Sequence, residues 1–289
     1  MTAFTVHHVT RYRYEQPATL CHNEAHLCMR STPDQTVDES WVIIDPAPDD
    51  RSERIDLYGN WVTYFSLQSP HDQLEVAATS RVHRSPTTRH ESEWLPWEAA
   101  RDAPRGVNEW DLTIESPHVP LLSELHRLTD GTFTPGRPLA EAVAELCRRI
   151  YDEFAYDPTA TSVSTPLSDV LAGRHGVCQD FAHLAIAALR HLGLSARYVS
   201  GYLETLPPPG QPKLKGADAS HAWASVRTPA GTWLDFDPTN ALVAPDTHLT
   251  VAWGRDYSDV MPLRGVVMSS GATTQLDVEV DVERVDPSA

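Results

Sequence analysis

The segment from Cys178 to Leu192 constrains the fold of this chain more than any other. Its apolar residues are Phe181, Ala182, Leu184, Ala185, Ile186, Ala187, Ala188 and Leu189. A helix that is apolar on almost every face is buried in a protein core. Gly176 before the segment and Gly193 after it are start and stop signals for this helix. The remaining elements must therefore surround this helix.

The first part of the chain predicts strands. Short runs with an alternating pattern lie at residues 4–14, 24–29, 41–44, 61–67 and 74–82. Turn signals separate them, so we predict a small antiparallel β-rich domain over residues 1–85. Residues 86–137 are rich in proline, tryptophan and charge without a sustained period, which predicts a connecting region with short helices.

The second part of the chain combines helices with strands. Leu139, Val143, Leu146 and Ile150 form an amphipathic stripe that predicts a helix over 138–151. Thr165-Pro166 predicts an N-cap followed by proline at the first helical position. Strand-like runs follow at 196–204, 220–228 and 232–236, and the strict alternation of 276–282 predicts a strand with one solvated face. The fold class is α+β, with the buried helix packed on an antiparallel sheet.

Composition excludes several classes of function. The formal net charge of −17 opposes binding to nucleic acid or to anionic membranes, because both require clustered lysine and arginine. No stretch has the roughly 18–20 apolar residues of a membrane span. The first sixteen residues alternate like a strand and lack the apolar region of a secretory signal, which predicts a cytoplasmic location. Four cysteines in 289 residues are expected to be reduced there.

Cys178 is the candidate nucleophile. It lies in the first turn of the buried helix, where free N–H groups and the helix dipole favour a thiolate and can hold an oxyanion. A cysteine at this position is equally compatible with a small core residue. A neighbouring base would favour the interpretation of Cys178 as a nucleophile.

His221 is the candidate base, and Asp237 is the candidate third residue. Residues 228–231 are a turn signal, so strands 220–227 and 232–237 should pair. A turn centred between residues 229 and 230 places His221 opposite Asp237 or Pro238, whereas Asp235 lies opposite Ala224. Asp237 is then the carboxylate that orients His221, as a catalytic triad requires.

The central motifs resemble the transglutaminase-like superfamily. They read GVCQDFAHL at 176–184, ARYVSGY at 196–202, HAW at 221–223 and DPTN at 237–240. The strings VTRYRY at 9–14, DLYGN at 56–60 and GRDYSDV at 254–260 resemble its bacterial branch, which has a β-rich N-terminal domain. The resemblance spans nearly the whole chain. It implies a papain-like core over 138–265, preceded by the β-rich domain and followed by a C-terminal strand segment over 266–289.

The resemblance also implies a triad of Cys178, His221 and Asp237, which agrees with the choice made from the residues. The expected reaction is acyl transfer from a peptide or protein substrate, at a peptide bond or a glutamine amide, through a thioester on Cys178. The backbone N–H of Cys178 is the expected first oxyanion donor, with Gln179 and Tyr156 as candidates for the second. Asp180 is expected to bond the helix start, with lining of the cleft as the alternative.

The sequence is compatible with three functions. We expect a peptidase or amidase rather than a transamidase, because nothing suggests a separate amine-binding domain. A non-catalytic peptide-binding scaffold of the same fold is the third alternative. We expect no metal or other cofactor, since no EF-hand loop is present and the spacing of Cys21 and Cys28 does not fit a zinc site. The oligomeric state is not predicted.

Overall fold

The computed structural model describes residues 1–204, 220–269 and 274–285. The strands are β1 (Thr2–Ala25), β2 (Gln35–Asp45), β3 (Asp50–Ile55), β4 (Trp61–Leu67), β5 (His71–Arg84), β6 (Ala155–Tyr156), β7 (His175–Gly176), β8 (Ala196–Leu203), β9 (Ser220–Arg227), β10 (Trp233–Asp237), β11 (Leu242–Val243), β12 (His248–Gly254), β13 (Leu263–Ser269) and β14 (Thr274–Val285). The helices are α1 (Trp97–Asp102), α2 (Val107–Trp110), α3 (His126–Thr129), α4 (Leu139–Glu153), α5 (Leu167–Gly173) and α6 (Cys178–His191). Short 3₁₀ turns lie at Glu91–Trp94, Asp111–Thr113, Ser123–Leu125 and Tyr257–Asp259.

The N-terminal sheet contains strands from both ends of the chain. Its order is β2-β5-β1-β4-β3, and β13 and β14 also pair with β1. The first half of β1 pairs with β5 and β14, and its second half pairs with β4 and β13. The domain boundaries at residues 85, 137 and 265 stay predictions. Residues 270–273 and 286–289 of the predicted C-terminal segment lie outside the described residues.

The core sheet carries the buried helix. Its strands are ordered β11-β10-β9-β8-β12, and each adjacent pair is antiparallel. Helix α6 packs on β8 and β9, and its residues from Asp180 to Arg190 are all buried. The stripe on α4 is buried as well. The predicted α+β class, with a central buried helix on an antiparallel sheet, is confirmed.

The ends of α6 follow from local chemistry. Val177 is extended, and the Asp180 carboxylate accepts a hydrogen bond from its N–H at 2.9 Å, so the helix begins at Cys178. A Cβ on Gly176 would lie 2.7 Å from that carboxylate, which explains the glycine at this position. At the other end, Gly193 has a φ of +77° and stops the helix.

Two predicted details of secondary structure are wrong, and one strand was not predicted. Helix α5 begins at Leu167 rather than Pro166, because Pro166 has an extended backbone and is itself the N-cap residue. The strand predicted over 24–29 ends at Ala25, and the next N–H, that of His26, donates to the Pro262 carbonyl. Strand β3 has six exposed residues and was not predicted, since it carries no alternation of apolar and polar positions.

The DLYGN and GRDYSDV strings meet at the junction between the N-terminal sheet and the core. The Asn60 side chain donates to the Trp253 carbonyl at 2.8 Å and accepts from its N–H at 3.0 Å. The Tyr58 hydroxyl donates to Asp111, which lies 3.7 Å from the Arg255 guanidinium. These strings therefore fix the N-terminal sheet against the core. Among the described residues, no helix combines the length and apolar character needed to cross a bilayer.

Candidate active site

Cys178 is the first residue of α6 and is half-buried. The N–H of the preceding residue is held by Asp180, whose carboxylate also accepts from the Thr161 hydroxyl at 2.7 Å. The first N–H groups of the helix proper have no partner within the helix, as at any α-helix N-terminus. The thiol therefore lies beside free backbone donors and the positive end of the helix dipole.

His221 lies at the start of β9 and contacts Asp237 at the end of β10. Its Nε2 atom is 2.8 Å from Asp237 Oδ2. The His221 side chain is 11% exposed, and that of Asp237 is fully buried. The structure thus brings together the base and the carboxylate that the sequence selected.

The hairpin register differs by one residue from the predicted register. Phe236 pairs with Ala224, so Asp235 pairs with Ser225 rather than Ala224. Continuing this register, Asp237 falls opposite residue 223, two positions along β9 from His221 on the same face of the sheet. The contact between His221 and Asp237 is therefore diagonal rather than directly across the strands.

The Asp237 carboxylate accepts four hydrogen bonds. Its Oδ2 atom accepts from His221 Nε2, from His248 Nε2 at 2.8 Å and from Asn240 Nδ2 at 2.7 Å. Its Oδ1 atom accepts from the Thr239 backbone N–H at 2.9 Å. A buried carboxylate needs such donors to stay ionised. His248 is the partner that the sequence analysis did not select.

Charges at this site favour a protonated His221. Burial lowers the pKa of His221, but the hydrogen bonds to Asp237 and Cys178 and the attraction to both outweigh it and raise the pKa to about 10. Burial would raise the pKa of Asp237, yet the hydrogen bonds from His221 and His248 hold it well below its usual range. The pair is therefore an imidazolium next to a carboxylate at neutral pH.

Cys178 completes the group through its interaction with His221. The thiol lies close enough to the imidazole for its charge and hydrogen-bonding capacity to contribute to the raised pKa of His221. Because Nε2 contacts Asp237, Nδ1 is the ring nitrogen that remains for the sulfur. The arrangement is a chain from thiol to imidazole to carboxylate.

The other predicted site residues differ in position. Tyr156 is 57% exposed, and its backbone pairs with Gly176, two residues before Cys178. Burial and the negative charge of Cys178 raise the pKa of its phenol. Gln179 directs its amide to the Val163 carbonyl at 3.4 Å. Asp180 bonds the helix start, which is the structural role expected for it.

The remaining cysteines are separate from this chemistry. Cys147 is buried and its thiol donates to the Asp237 backbone carbonyl at 3.2 Å. Burial raises the pKa of Cys21, Cys28 and Cys147, so their thiols stay protonated at neutral pH. These three residues are weak nucleophiles.

One group of side chains has the composition of a metal site. His221, Asp237 and His248 offer ligand atoms that all lie within 4.8 Å of one another. Each histidine Nε2 lies 2.8 Å from one carboxylate oxygen, which is the geometry of two hydrogen bonds to a shared acceptor. The residues therefore satisfy one another without an ion.

Comparison with known proteins identifies the family. The family described as "Bacterial transglutaminase-like N-terminal region" matches residues 4–83, and "Transglutaminase-like superfamily" matches residues 126–238. An uncharacterized protein of Mycobacterium tuberculosis is 41% identical over 290 residues, which cover 96% of this chain and 92% of that protein. The chain belongs to the bacterial transglutaminase-like family. The predicted resemblance is confirmed.

Further relatives of this transglutaminase-like protein extend the comparison. An uncharacterized protein of Mycobacterium leprae is 35% identical over 290 residues, covering 99% of this chain and all of that protein. The solved structure of a "Putative Cysteine Protease from Cytophaga hutchinsonii" is 22% identical, with a TM-score of 0.77 over 99% of this chain and 91% of that one. This likeness establishes the fold. Membership of the superfamily supports a cysteine-dependent enzyme, and the superfamily match includes Cys178, His221 and Asp237 but ends before His248.

Proposed function

We propose that this transglutaminase-like protein is an acyl-transfer enzyme that hydrolyses peptide or amide bonds. Cys178 is the nucleophile, His221 is the general acid and base, and Asp237 orients His221. The observation that carries the proposal is the 2.8 Å contact between His221 and the buried Asp237 carboxylate, with the Cys178 thiol close enough to help raise the pKa of the same imidazole. A nucleophile, a base and an orienting group in hydrogen-bonding sequence are what covalent acyl transfer requires.

The first half of the reaction uses the thiolate and the imidazolium. The Cys178 sulfur attacks the amide carbon, and the carbonyl electron pair moves onto oxygen. His221 gives its proton to the departing amine as the carbon–nitrogen bond breaks, which leaves a thioester. Attack consumes the thiolate charge that helps to raise the pKa of His221, so the imidazolium becomes a stronger acid at the moment it is needed.

The second half returns the enzyme to its starting state. Neutral His221 takes a proton from water, whose oxygen attacks the thioester carbon. The carbon–sulfur bond breaks and releases a carboxylic acid and the Cys178 thiolate. A primary amine in place of water gives a new amide by the same steps, so transamidation uses the same residues.

The oxyanion needs donors near the sulfur. The backbone N–H of Cys178 is at the N-terminus of α6, where it has no helical partner. The Tyr156 hydroxyl is the better of the two candidates for a second donor, because its pKa responds to the Cys178 charge. The Gln179 amide is turned toward Val163.

We also propose a substrate class and a cellular location. The substrate is a peptide or protein that presents a peptide bond or a glutamine amide to Cys178. A cytoplasmic location is supported by the four cysteines, all of which are free thiols.

An activated ester tests the proposal before the natural substrate is known. Wild-type protein is mixed with p-nitrophenyl acetate, nitrophenol release is followed over time, and the acetylated residue is located by mass spectrometry. We expect a burst of about one equivalent per protein, followed by slower turnover, with acetyl on Cys178. Adding methylamine during the slow phase distinguishes the two acceptors, since a hydrolase forms acetate and a transamidase forms N-methylacetamide.

The matched control is Cys28→Ser, because Cys28 is the other half-buried cysteine of the chain. It should leave the burst unchanged, whereas Cys178→Ser should remove it. N-methylacetamide as the main product would replace hydrolysis by transamidation. A folded wild type that shows no burst, or that acetylates its other cysteines at the same rate, would contradict the enzyme and favour a peptide-binding scaffold.

A further inference from the structure

A cavity of about 340 Å³ lies between the N-terminal sheet and one face of the core sheet. Trp233 and Asp235 on β10, Arg197 on β8 and Trp253 on β12 line its core side. Residues 32–34 and 84–93 line the opposite side in part. Neither Cys178 nor the histidines bound to Asp237 contribute to its walls, so the cavity is separate from the candidate active site.

Arg197 is held in this cavity between two tryptophan rings. Its guanidinium carbon lies 3.7 Å from the centre of the Trp253 ring and 4.1 Å from that of Trp233. Both distances fall within the range of cation–π contacts, so the two rings restrain the position of the guanidinium. Its N–H groups are the donors that a ligand would use.

The N–H groups of Arg197 have no acceptor among the described residues. Arg197 is 7% exposed, and its buried Nε is without a hydrogen-bond partner in that part of the chain. Burial lowers its pKa to about 9, against the attraction of Asp235, whose carboxylate forms no ion pair with it. Arg84 lines the same cavity, but its guanidinium donates to Thr87 and pairs with Asp34 at 3.9 Å. An unpaired buried guanidinium such as that of Arg197 is costly, which points to an acceptor that enters the cavity.

We propose that the cavity binds a small organic monocarboxylate, the group found on a free amino acid or at the C-terminus of a short peptide. The two oxygens of a carboxylate match the planar fork of Arg197. The cavity volume falls in the range of small-molecule sites, and the two tryptophan rings orient the contact.

The charges around Arg197 favour a monoanion over a phosphate. The carboxylates of Asp34, Glu93 and Asp235 also line the cavity and would repel a dianion more strongly than a carboxylate. Asp34 already accepts a hydrogen bond from Thr88, and Glu93 is paired with Arg89. Asp235 accepts from the indole N–H of Trp223. These carboxylates already accept hydrogen bonds, whereas the Arg197 guanidinium has no acceptor among the described residues.

A matched set of probes tests the proposal on the full-length wild type. N-acetylglycine carries the carboxylate, N-acetylglycinamide has nearly the same size without the charge, and inorganic phosphate is the competing anion. Binding is measured by calorimetry and by NMR of the indole N–H signals of the eight tryptophans. We expect N-acetylglycine to bind with a Kd of about 1 mM and to shift the signals of Trp233 and Trp253. The amide and phosphate should bind at least tenfold more weakly.

Variants connect that binding to Arg197. Arg197→Gln should weaken N-acetylglycine at least tenfold, whereas Arg81→Gln, at an exposed position, should leave it unchanged. Arg197→Lys keeps the charge without the fork and should also weaken binding. If these variants do not fold, the wild-type NMR titration decides, with Trp233→Phe assigning its signal. Equal binding of the amide, preference for phosphate, or unshifted Trp233 and Trp253 signals would overturn the proposal.

Discussion

His248 Nε2 lies 2.8 Å from Asp237 Oδ2, the same oxygen atom that His221 Nε2 contacts. His248 is 2% exposed, and its ring lies edge-on to Trp223, which stacks with His221. The carboxylate that orients the base is therefore itself oriented from a strand on the far side of β8. We infer that His248 is a positioning residue, acting on the reaction through Asp237.

Replacing His248 should slow acylation of Cys178. His248→Phe keeps a ring but removes one of the donors that fix the orientation of the Asp237 carboxylate. We expect the nitrophenol burst to slow about tenfold and the pKa of His221 to rise further, because Asp237 then shares less of its charge with other donors. An NMR titration of the His221 ring measures the pKa.

The control for this prediction is His191→Phe, at an exposed position near the end of α6. His248→Gln, which retains a donor, should recover part of the rate. A folded His248→Phe protein with wild-type burst rate and His221 titration would limit His248 to a packing role.

Tyr156→Phe should impair the formation of the tetrahedral intermediate. Removal of one oxyanion donor commonly costs about 10²-fold in rate, and the exposed ring should leave stability nearly unchanged. The burst rate is the measurement, and Tyr151→Phe is the control because Tyr151 is similarly exposed. If both variants acylate at the wild-type rate, the second donor is another group.

Arg190 should matter for stability although it does no chemistry. It is 2% exposed and donates to the carbonyls of Ala196, Ile114 and Arg255. Arg190→Leu removes these hydrogen bonds from a largely buried site and should lower the free energy of unfolding by about 3 kcal/mol. Urea denaturation measures the loss.

The exposed Arg148 on α4 provides the control for that experiment. Its side chain is 58% exposed and, within the described part of the chain, pairs only with Glu145. Arg148→Leu should change the free energy of unfolding by less than about 0.5 kcal/mol. Equal effects of the two substitutions would refute a structural role for the buried guanidinium.

The raised pKa of His221 should appear in the pH dependence of stability. The folded pKa is about 10 and the ordinary value is 6.5, so the folded state retains the proton that the unfolded state loses between them. The stabilisation from His221 is fully present below pH 6.5 and is lost as the pH rises toward 10. The free-energy advantage over His221→Gln should therefore fall with rising pH.

A Cys178→Ala background isolates this effect from titration of the thiol. Asp237 still raises the pKa of His221 there, so the decline should begin near pH 6.5 and end at or below pH 10. Urea denaturation across this range measures it. A difference that is constant or increases with pH would mean that Asp237 does not hold His221 in its protonated form.

The helix and the hairpin could be predicted because their signals are local. The apolar segment after Cys178 predicted its own burial, and the turn at 228–231 brought His221 near Asp237. The register was wrong by one residue because the loop has three residues rather than two. Thr228 pairs with Thr232, and Gly231 has a φ of +84°, which centres the loop on Ala230.

His248 and the Arg197 cavity could not be predicted because they depend on distant packing. Strand β12 is separated from β10 by β8 and β9, so no hairpin rule connects His248 with Asp237. The position of His248 also depends on the close approach of β12 to β8 at Gly201. A Cβ at Gly201 would lie 2.1 Å from the Leu249 carbonyl oxygen and 2.6 Å from the Trp223 ring. In the sequence, Arg197 resembles an ordinary strand residue. Its contacts with Trp233 and Trp253 exist only in the folded structure.

The reactivity of Cys178 tests the central claim most directly. The rate of iodoacetamide alkylation is measured against pH in wild type and His221→Ala, with the modified cysteine located by mass spectrometry and a denatured control for accessibility. We predict that Cys178 alone reacts quickly below pH 7 and that this reactivity disappears without His221. A Cys178 that is accessible, yet reacts like an ordinary thiol of pKa about 8.5 in both proteins, would contradict a thiolate–imidazolium pair and the enzyme built on it.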